Sequence, residues 1–331
     1  MKPSDLALTL EKCFKEHKPV LIKGAPGIGK SDIVEQACNA VGANLIIEHP
    51  VVSDPTDYKG LPYASDGKAD FLPFGSLQKM IDAESLTVVF LDDLGQAPPS
   101  VQAACMQLLL ARRINGHKVS DHICFVAATN RRVDRAGVTG MLEPVKSRFI
   151  TIVNLDVDLD EWVKWALVNN MPTYLIALMR FKPELLHDFQ PSNDLVNSPC
   201  PRTIANMGAL DNMSFPEHLE LELFSGAAGE GLAAEYVGFK RIAANMVNPD
   251  MVILNPDQVD VPTDPAVLYA LCGALSSKAS DQNIDRLVTF YNRLPADFSV
   301  LAMKDTAGRD PKLMNTRAYI QWASEHADIL V

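Results

Sequence analysis

Eight consecutive residues, Gly24-Ala25-Pro26-Gly27-Ile28-Gly29-Lys30-Ser31, carry the most specific chemistry in the chain. A polyphosphate needs a ring of backbone N–H donors at close range, and glycines let a loop curl tightly enough to present them. Lys30 has the reach to meet β- and γ-phosphates, and Ser31 offers a hydroxyl ligand for Mg²⁺. The apolar run 19–23 (PVLIK) before the loop reads as a buried strand, and the amphipathic run 31–40 after it reads as a helix. The helix N-terminus adds its dipole to the anion site. At average composition the four fixed positions of G-x-x-x-x-G-K-[ST] coincide in a chain of this length on the order of once in a hundred sequences.

Two carboxylates follow a second apolar run, Thr87-Val88-Val89-Phe90-Leu91-Asp92-Asp93. A buried strand that ends in carboxylates can hold a metal ion with one and polarise a water beside the terminal phosphate with the other. Asp92 is the candidate for the metal and Asp93 for the water. Alone, this pattern is weak, because many strands end at an Asp-containing turn; its weight comes from the phosphate loop upstream. Asn130 closes another apolar run (FVAATN), where its amide could orient the attacking water. On its own it reads first as a turn residue. Arg148, in Lys146-Ser147-Arg148-Phe149, stands just before the last apolar run of this half and is the candidate arginine finger for a neighbouring subunit's γ-phosphate. The bland alternative is a surface arginine.

The elements that would position these groups are legible as unalternating apolar runs separated by helical stretches: 19–23, 44–49, 87–91, 122–129 and 149–155. Such runs are expected of parallel strands covered on both faces. Residues 1–155 therefore read as a doubly wound α/β domain. Beyond Asp156 the periodicity is helical throughout (159–169, 173–180, 203–210, 218–225 and 231–246), giving an all-α second domain over 156–247. A Pro-rich stretch, 248–265, leads to a C-terminal helical extension over 248–331.

The 331 residues are 47% hydrophobic and 21% charged, as expected of an ordinary globular chain with a sizeable core. A formal charge of −11 argues against a general nucleic-acid coat or a membrane-surface binder, though not against a local basic pore. The six cysteines show no CxxC spacing and lie mostly in apolar runs, the pattern of core thiols in a reducing compartment. No leader precedes Asp5 and no apolar run reaches membrane-spanning length, so a cytoplasmic protein is expected.

The succession of phosphate loop, acidic strand end, Asn-ended strand and Ser-Arg-Phe resembles an AAA+ ATPase. More narrowly, it is similar to the MoxR family of the helix-2-insert group. Residues 54–62 (DPTDYKGLP) resemble the family's segment after its second strand. Residues 63–74 hold Asp66-Gly67 between extended flanks, a hairpin signal, where this group inserts a hairpin. Asp92-Asp93-Leu94-Gly95-Gln96-Ala97-Pro98-Pro99 is similar to the family's D-E-I-N-R-A-P-P, and Asn115-Gly116 suits a second hairpin turn. Residues 198–202 (SPCPR) look like the family's S-P-R at the start of a lid helix, which makes Arg202 the sensor-2 candidate beside the alternative of a solvated arginine.

The resemblance extends to about residue 245. It implies a P-loop NTPase core with a five-stranded parallel sheet of order 5-1-4-3-2, an all-α lid, ATP and Mg²⁺ as cofactors, and a homo-oligomeric, hexameric ring. It also implies remodelling or activation of a protein client alongside a von Willebrand factor A domain partner, with pore residues from 63–74 and 112–117. Asp93 departs from the family's Glu by one bond, about 1.5 Å, which puts fast hydrolysis in doubt. Two other readings stand beside this one. Arg112, Arg113, Arg131, Arg132 and Arg135 form a basic cluster that would suit a nucleic-acid motor, and a binding-only nucleotide switch would follow if Asp93 cannot support turnover.

Overall fold

The computed structural model describes residues 1–65, 67–134, 140–192 and 194–326, which form two compact units, Met1–Asp158 and Leu159–Val331. In the first unit the chain runs α1 (Pro3–Lys15), β1 (Val20–Lys23), α2 (Lys30–Val41), β2 (Asn44–Glu48) and α3 (Pro55–Lys59). A hairpin follows, β3 (Leu61–Ser65) and β4 (Lys68–Leu72), then α4 (Gly75–Ile81), β5 (Thr87–Leu91) and α5 (Pro99–Ala111). A second hairpin, β6 (Arg113–Ile114) and β7 (His117–Lys118), precedes β8 (Ile123–Thr129), α6 (Glu143–Lys146) and β9 (Thr151–Asn154).

The five-stranded sheet has the order β2-β5-β8-β1-β9, and every pairing in it is parallel. Counted along the chain this is the expected 5-1-4-3-2. Alternate residues of the same strands serve two separate cores. Ile22, Val88, Phe90, Cys124 and Val126 pack under α1 and α2. Leu21, Val89, Leu91, Phe125 and Ala127 pack with Tyr58, Leu77 and residues of α5 on the other face. Burial on both faces is why these runs show no polar alternation.

Two local readings shift. The fifth strand, expected over 149–155, is confined to Thr151–Asn154. Glu143-Pro144 starts the short helix α6, and Phe149 turns into the core instead of pairing. Pro at the first helical turn costs nothing, because its missing N–H has no partner there in any case. The same device starts the helix Pro249–Leu254, found inside the Pro-rich stretch 248–265, where the Asn248 side chain caps Asp250 N at 2.9 Å.

The elements of the second unit are helices, with no strand among its described residues: α7 (Leu159–Val168), α8 (Thr173–Phe181), α9 (Pro201–Asn212), α10 (Glu217–Ala228), α11 (Glu230–Ala244), α12 (Pro249–Leu254), α13 (Pro265–Ser277), α14 (Ile284–Tyr291), α15 (Ala296–Arg309) and α16 (Arg317–Glu325). The expected lid and C-terminal extension lie together in this one unit. Gly273 of α13 approaches α8 so closely that a Cβ would stand 2.7 Å from Thr173 Cγ2. Arg180 of α8 donates to Asp305 of α15 through both Nη atoms, at 2.6 Å from Nη2. No helix among the described residues is long and apolar enough to cross a membrane. All six cysteines are free thiols, and burial pushes Cys105, Cys124 and Cys272 up to about 12. Those thiols stay protonated at neutral pH and are not nucleophiles.

Candidate functional site

The site lies where β1, β5 and β8 end side by side, because parallel strands bring all their C-terminal ends to one edge. From β1 the chain enters the loop at Gly24, whose N–H donates to Thr129 O at 3.2 Å. A Cβ on Gly24 would meet Ile28 Cδ1 at 2.6 Å and Leu155 O at 3.1 Å, so a larger residue there would have to displace the Ile28 side chain and press on the backbone at Leu155. Gly27 (φ 71°) and Gly29 (φ 88°) both take the left-handed conformation that gives the loop its curl. Ala25 and Ile28 are buried and anchor the loop, while Pro26 is half-buried.

Lys30, the first residue of α2, is only 8% exposed. Its Nζ donates to Ala25 O at 2.9 Å, Gly24 O at 3.2 Å and Asn130 Oδ1 at 2.8 Å. A buried ammonium resting on loop carbonyls is poised to exchange those neutral acceptors for an anionic oxygen, the stronger partner. Next to it, Ser31 Oγ donates to Asp92 Oδ2 at 3.0 Å.

A hydroxyl and a carboxylate are hard oxygen donors, which suit Mg²⁺. Among the described residues no group of three or more His, Cys, Asp and Glu is placed to hold a metal, so water and phosphate would have to complete the shell. That is the usual habit of Mg²⁺ at nucleotide sites. The curled loop, the buried ammonium and the Ser31–Asp92 pair together fit a Mg-nucleotide.

Asp93 sits beyond β5 in the left-handed region (φ 55°, ψ 32°), which aspartate tolerates better than most residues. Its Oδ1 accepts from Gln96 Nε2 at 2.7 Å and from Asn130 Nδ2 at 3.4 Å. Asn130, directly after β8, thus bridges Lys30 to Asp93. Lys30, Ser31, Asp92, Asp93 and Asn130 come together as the sequence pattern proposes. Gln96 joins them without having been singled out. Its one sequence signal is the i+3 spacing from Asp93 inside a Gly-containing turn.

The remaining candidates sit differently. Arg148 lies in the turn between α6 and β9, where its Nη1 donates to Pro144 O at 2.6 Å and Ser147 Oγ at 3.1 Å. Its Nε is buried without a hydrogen-bond partner. Arg202 is exposed in the first turn of α9, in the second unit. Arg135 and Asp66 fall outside the described residues. Gly67, in the turn of the first hairpin, has φ 74°, and the second hairpin turns at Asn115 (φ 47°) and Gly116 (φ 86°). Asn115 Nδ2 donates to Lys59 O at 2.9 Å and His117 Nε2 to Phe71 O at 2.7 Å, so the two hairpins are tied together.

The fold is a five-stranded parallel sheet with a glycine-rich loop and carboxylates at its strand ends. Residues 19–149, about two fifths of the chain, match the model of the AAA domain, dynein-related subfamily. Among solved structures, a mutant of Thermotoga maritima RuvB is 15% identical, with a TM-score of 0.43 over 82% of this chain and 80% of that one. The Thermotoga maritima RuvB Holliday junction branch migration motor is 13% identical, with a TM-score of 0.36 over 97% and 85%. NtrX from Brucella abortus in complex with ATP is 13% identical, with a TM-score of 0.38 over 98% and 66%. No curated protein sequence matches the chain.

Proposed function

We propose that this chain is a Mg-dependent ATPase that works as one subunit of a homo-oligomeric, hexameric ring and remodels or activates a protein client. The observation that carries the reading is the hydrogen-bonded path from Lys30 through Asn130 to Asp93, beside the Ser31–Asp92 pair. Gly24 to Ser31 cradle the polyphosphate, and Lys30 neutralises charge on its β- and γ-phosphates. Ser31 and Asp92 would hold Mg²⁺, which would neutralise charge on the phosphate oxygens and so ease attack at the γ-phosphorus. Asp93 takes the proton of the attacking water, which Asn130 orients. Arg148, as an arginine finger, serves a neighbouring subunit's nucleotide, and Arg202 senses nucleotide from the second unit.

The client-directed part of the reading rests on the resemblance to the MoxR family, which also implies the von Willebrand factor A domain partner. The tied hairpins at 61–72 and 113–118 supply exposed side chains, Tyr63 and Leu72 among them, for a pore. The nucleic-acid alternative loses part of its basic cluster to the fold. Arg112 donates to Ile123 O at 2.9 Å and Ser120 O at 2.6 Å, and Arg131 pairs with Asp134 at 2.9 Å.

Titration calorimetry with MgATP tests the site: Lys30→Ala should abolish measurable binding, and unchanged affinity would sink the assignment. Phosphate release with and without duplex DNA tests the class. Turnover that DNA leaves unchanged supports a protein client; marked stimulation by DNA would move the chain to the motor class.

A further inference from the structure

Gln96 belongs to none of the expected catalytic positions, yet it makes the shortest of the hydrogen bonds described onto Asp93 Oδ1, 2.7 Å against 3.4 Å from Asn130. The backbone is shaped to allow it. The left-handed Asp93 turns the chain out of β5 directly into a 3₁₀ turn, Leu94–Gln96. Gly95 in that turn lies so close to β8 that a Cβ would stand 2.1 Å from Thr129 Oγ1. Only glycine permits this approach. Thr129 Oγ1 lies 3.4 Å from Gln96 Oε1 and 3.2 Å from Asn130 O, with one proton to give to either, while Gln96 Nε2 faces Asp93.

We infer that Gln96 is a positioning residue for Asp93, holding the carboxylate where it can act on the water. The inference rests on the hydrolytic role proposed above for Asp93. Three departures from the resembled motif D-E-I-N-R then read as one change: Asp93 for Glu, Gly95 for Asn and Gln96 for Arg. A carboxylate shortened by one bond has less reach of its own, and the Gly95 turn brings an amide onto it. The amide is neutral. A guanidinium in its place would pair with the carboxylate as an ion and depress its basicity. Gln96 fixes geometry through a neutral amide; Lys30 and Asp92 are charged groups of the same cluster.

The test uses the full chain and MgATP, with phosphate release at saturating ATP and affinity by calorimetry. Gln96→Ala should lower kcat about tenfold, the size expected for losing a hydrogen bond to a charged group. ATP affinity should stay within twofold. Gln96→Glu, which keeps the size of the side chain but loses the donor, should slow kcat at least as much. A purely structural glutamine would not lower kcat in a folded variant whose ATP affinity is unchanged. Should Gln96→Ala fail to fold, Gln96→Asn, one methylene shorter, carries the same comparison. Parental kcat in folded Gln96→Ala or Gln96→Glu, beside a slow Asp93→Asn, overturns the inference alone. Parental turnover in Asp93→Asn overturns the underlying role of Asp93 as well.

Discussion

The two units use buried charge in opposite ways. In the first, Lys30 rests on two loop carbonyls and the Asn130 amide, neutral acceptors that an anionic ligand can displace. In the second, Arg180 is held from both Nη atoms by Asp305, which is only 2% exposed, and Lys240 lies between Asp211 and Glu220 at 2.7 Å from each. Those cations are already matched to full negative charges, so their work is to lock α8 to α15 and α11 to α9 and α10. A buried cation on a curled glycine-rich loop lies where an anionic ligand can meet it; one in a carboxylate clamp holds helices together.

The sharpest test of this contrast is the shared active site. An arginine finger is worth roughly 10³ to 10⁵ in rate in NTPases of this kind. Arg148→Ala should therefore lose nearly all hydrolysis while still binding ATP. Mixed with Lys30→Ala, it should regain activity at interfaces that pair an intact loop with an intact finger. Phosphate release across a mixing series, at constant total protein and after subunit exchange, reads this directly. Activity that never exceeds the sum of the separate variants places the finger elsewhere, with Arg135 the first alternative.

In the second unit the largest effect should come from unpairing the clamp. Asp305→Ala leaves a buried guanidinium without its partner and should cost about 3–5 kcal/mol, read as a lowered unfolding midpoint by calorimetry. An unchanged midpoint would mean that the Arg180–Asp305 pair is not architectural.

A smaller cost is expected at the turn beside Asp93. Gly95→Ala forces a Cβ toward Thr129 and should destabilise the first unit by about 1–3 kcal/mol. It should also slow hydrolysis, by moving Gln96 off Asp93. Full stability and full turnover together would show that the loop gives way freely.

The smallest change in stability belongs to Arg202→Ala. The side chain is exposed at a helix start, so stability should stay within about 0.5 kcal/mol. Turnover should nonetheless fall, since its proposed role is toward nucleotide. Parental turnover would return Arg202 to the status of a solvated helix-start residue and leave all the chemistry in the first unit.

The sequence by itself determined the loop Gly24 to Ser31, the acidic end of β5, the Asn after β8, and the doubly wound core. Each is written in contiguous residues, where strand and loop chemistry are local and the apolar runs declare burial on both faces. Asn115-Gly116 likewise announced its hairpin, because its turn needs positive φ at both positions. Tertiary structure decided the rest. That Gln96 reaches Asp93 depends on Gly95 passing within clashing distance of Thr129, a residue 34 positions further on, which no local pattern encodes. The shortness of β9 followed from the turn after the Pro-initiated α6, and the start of α12 from Pro249 and the Asn248 cap. The union of the helices of 159–247 with the C-terminal ones was decided by the Gly273–Thr173 approach and the Arg180–Asp305 pair, contacts between residues about a hundred or more apart in the chain. Spacing along a chain fixes which groups sit on one loop or strand end. Only packing fixes which distant side chain finds them.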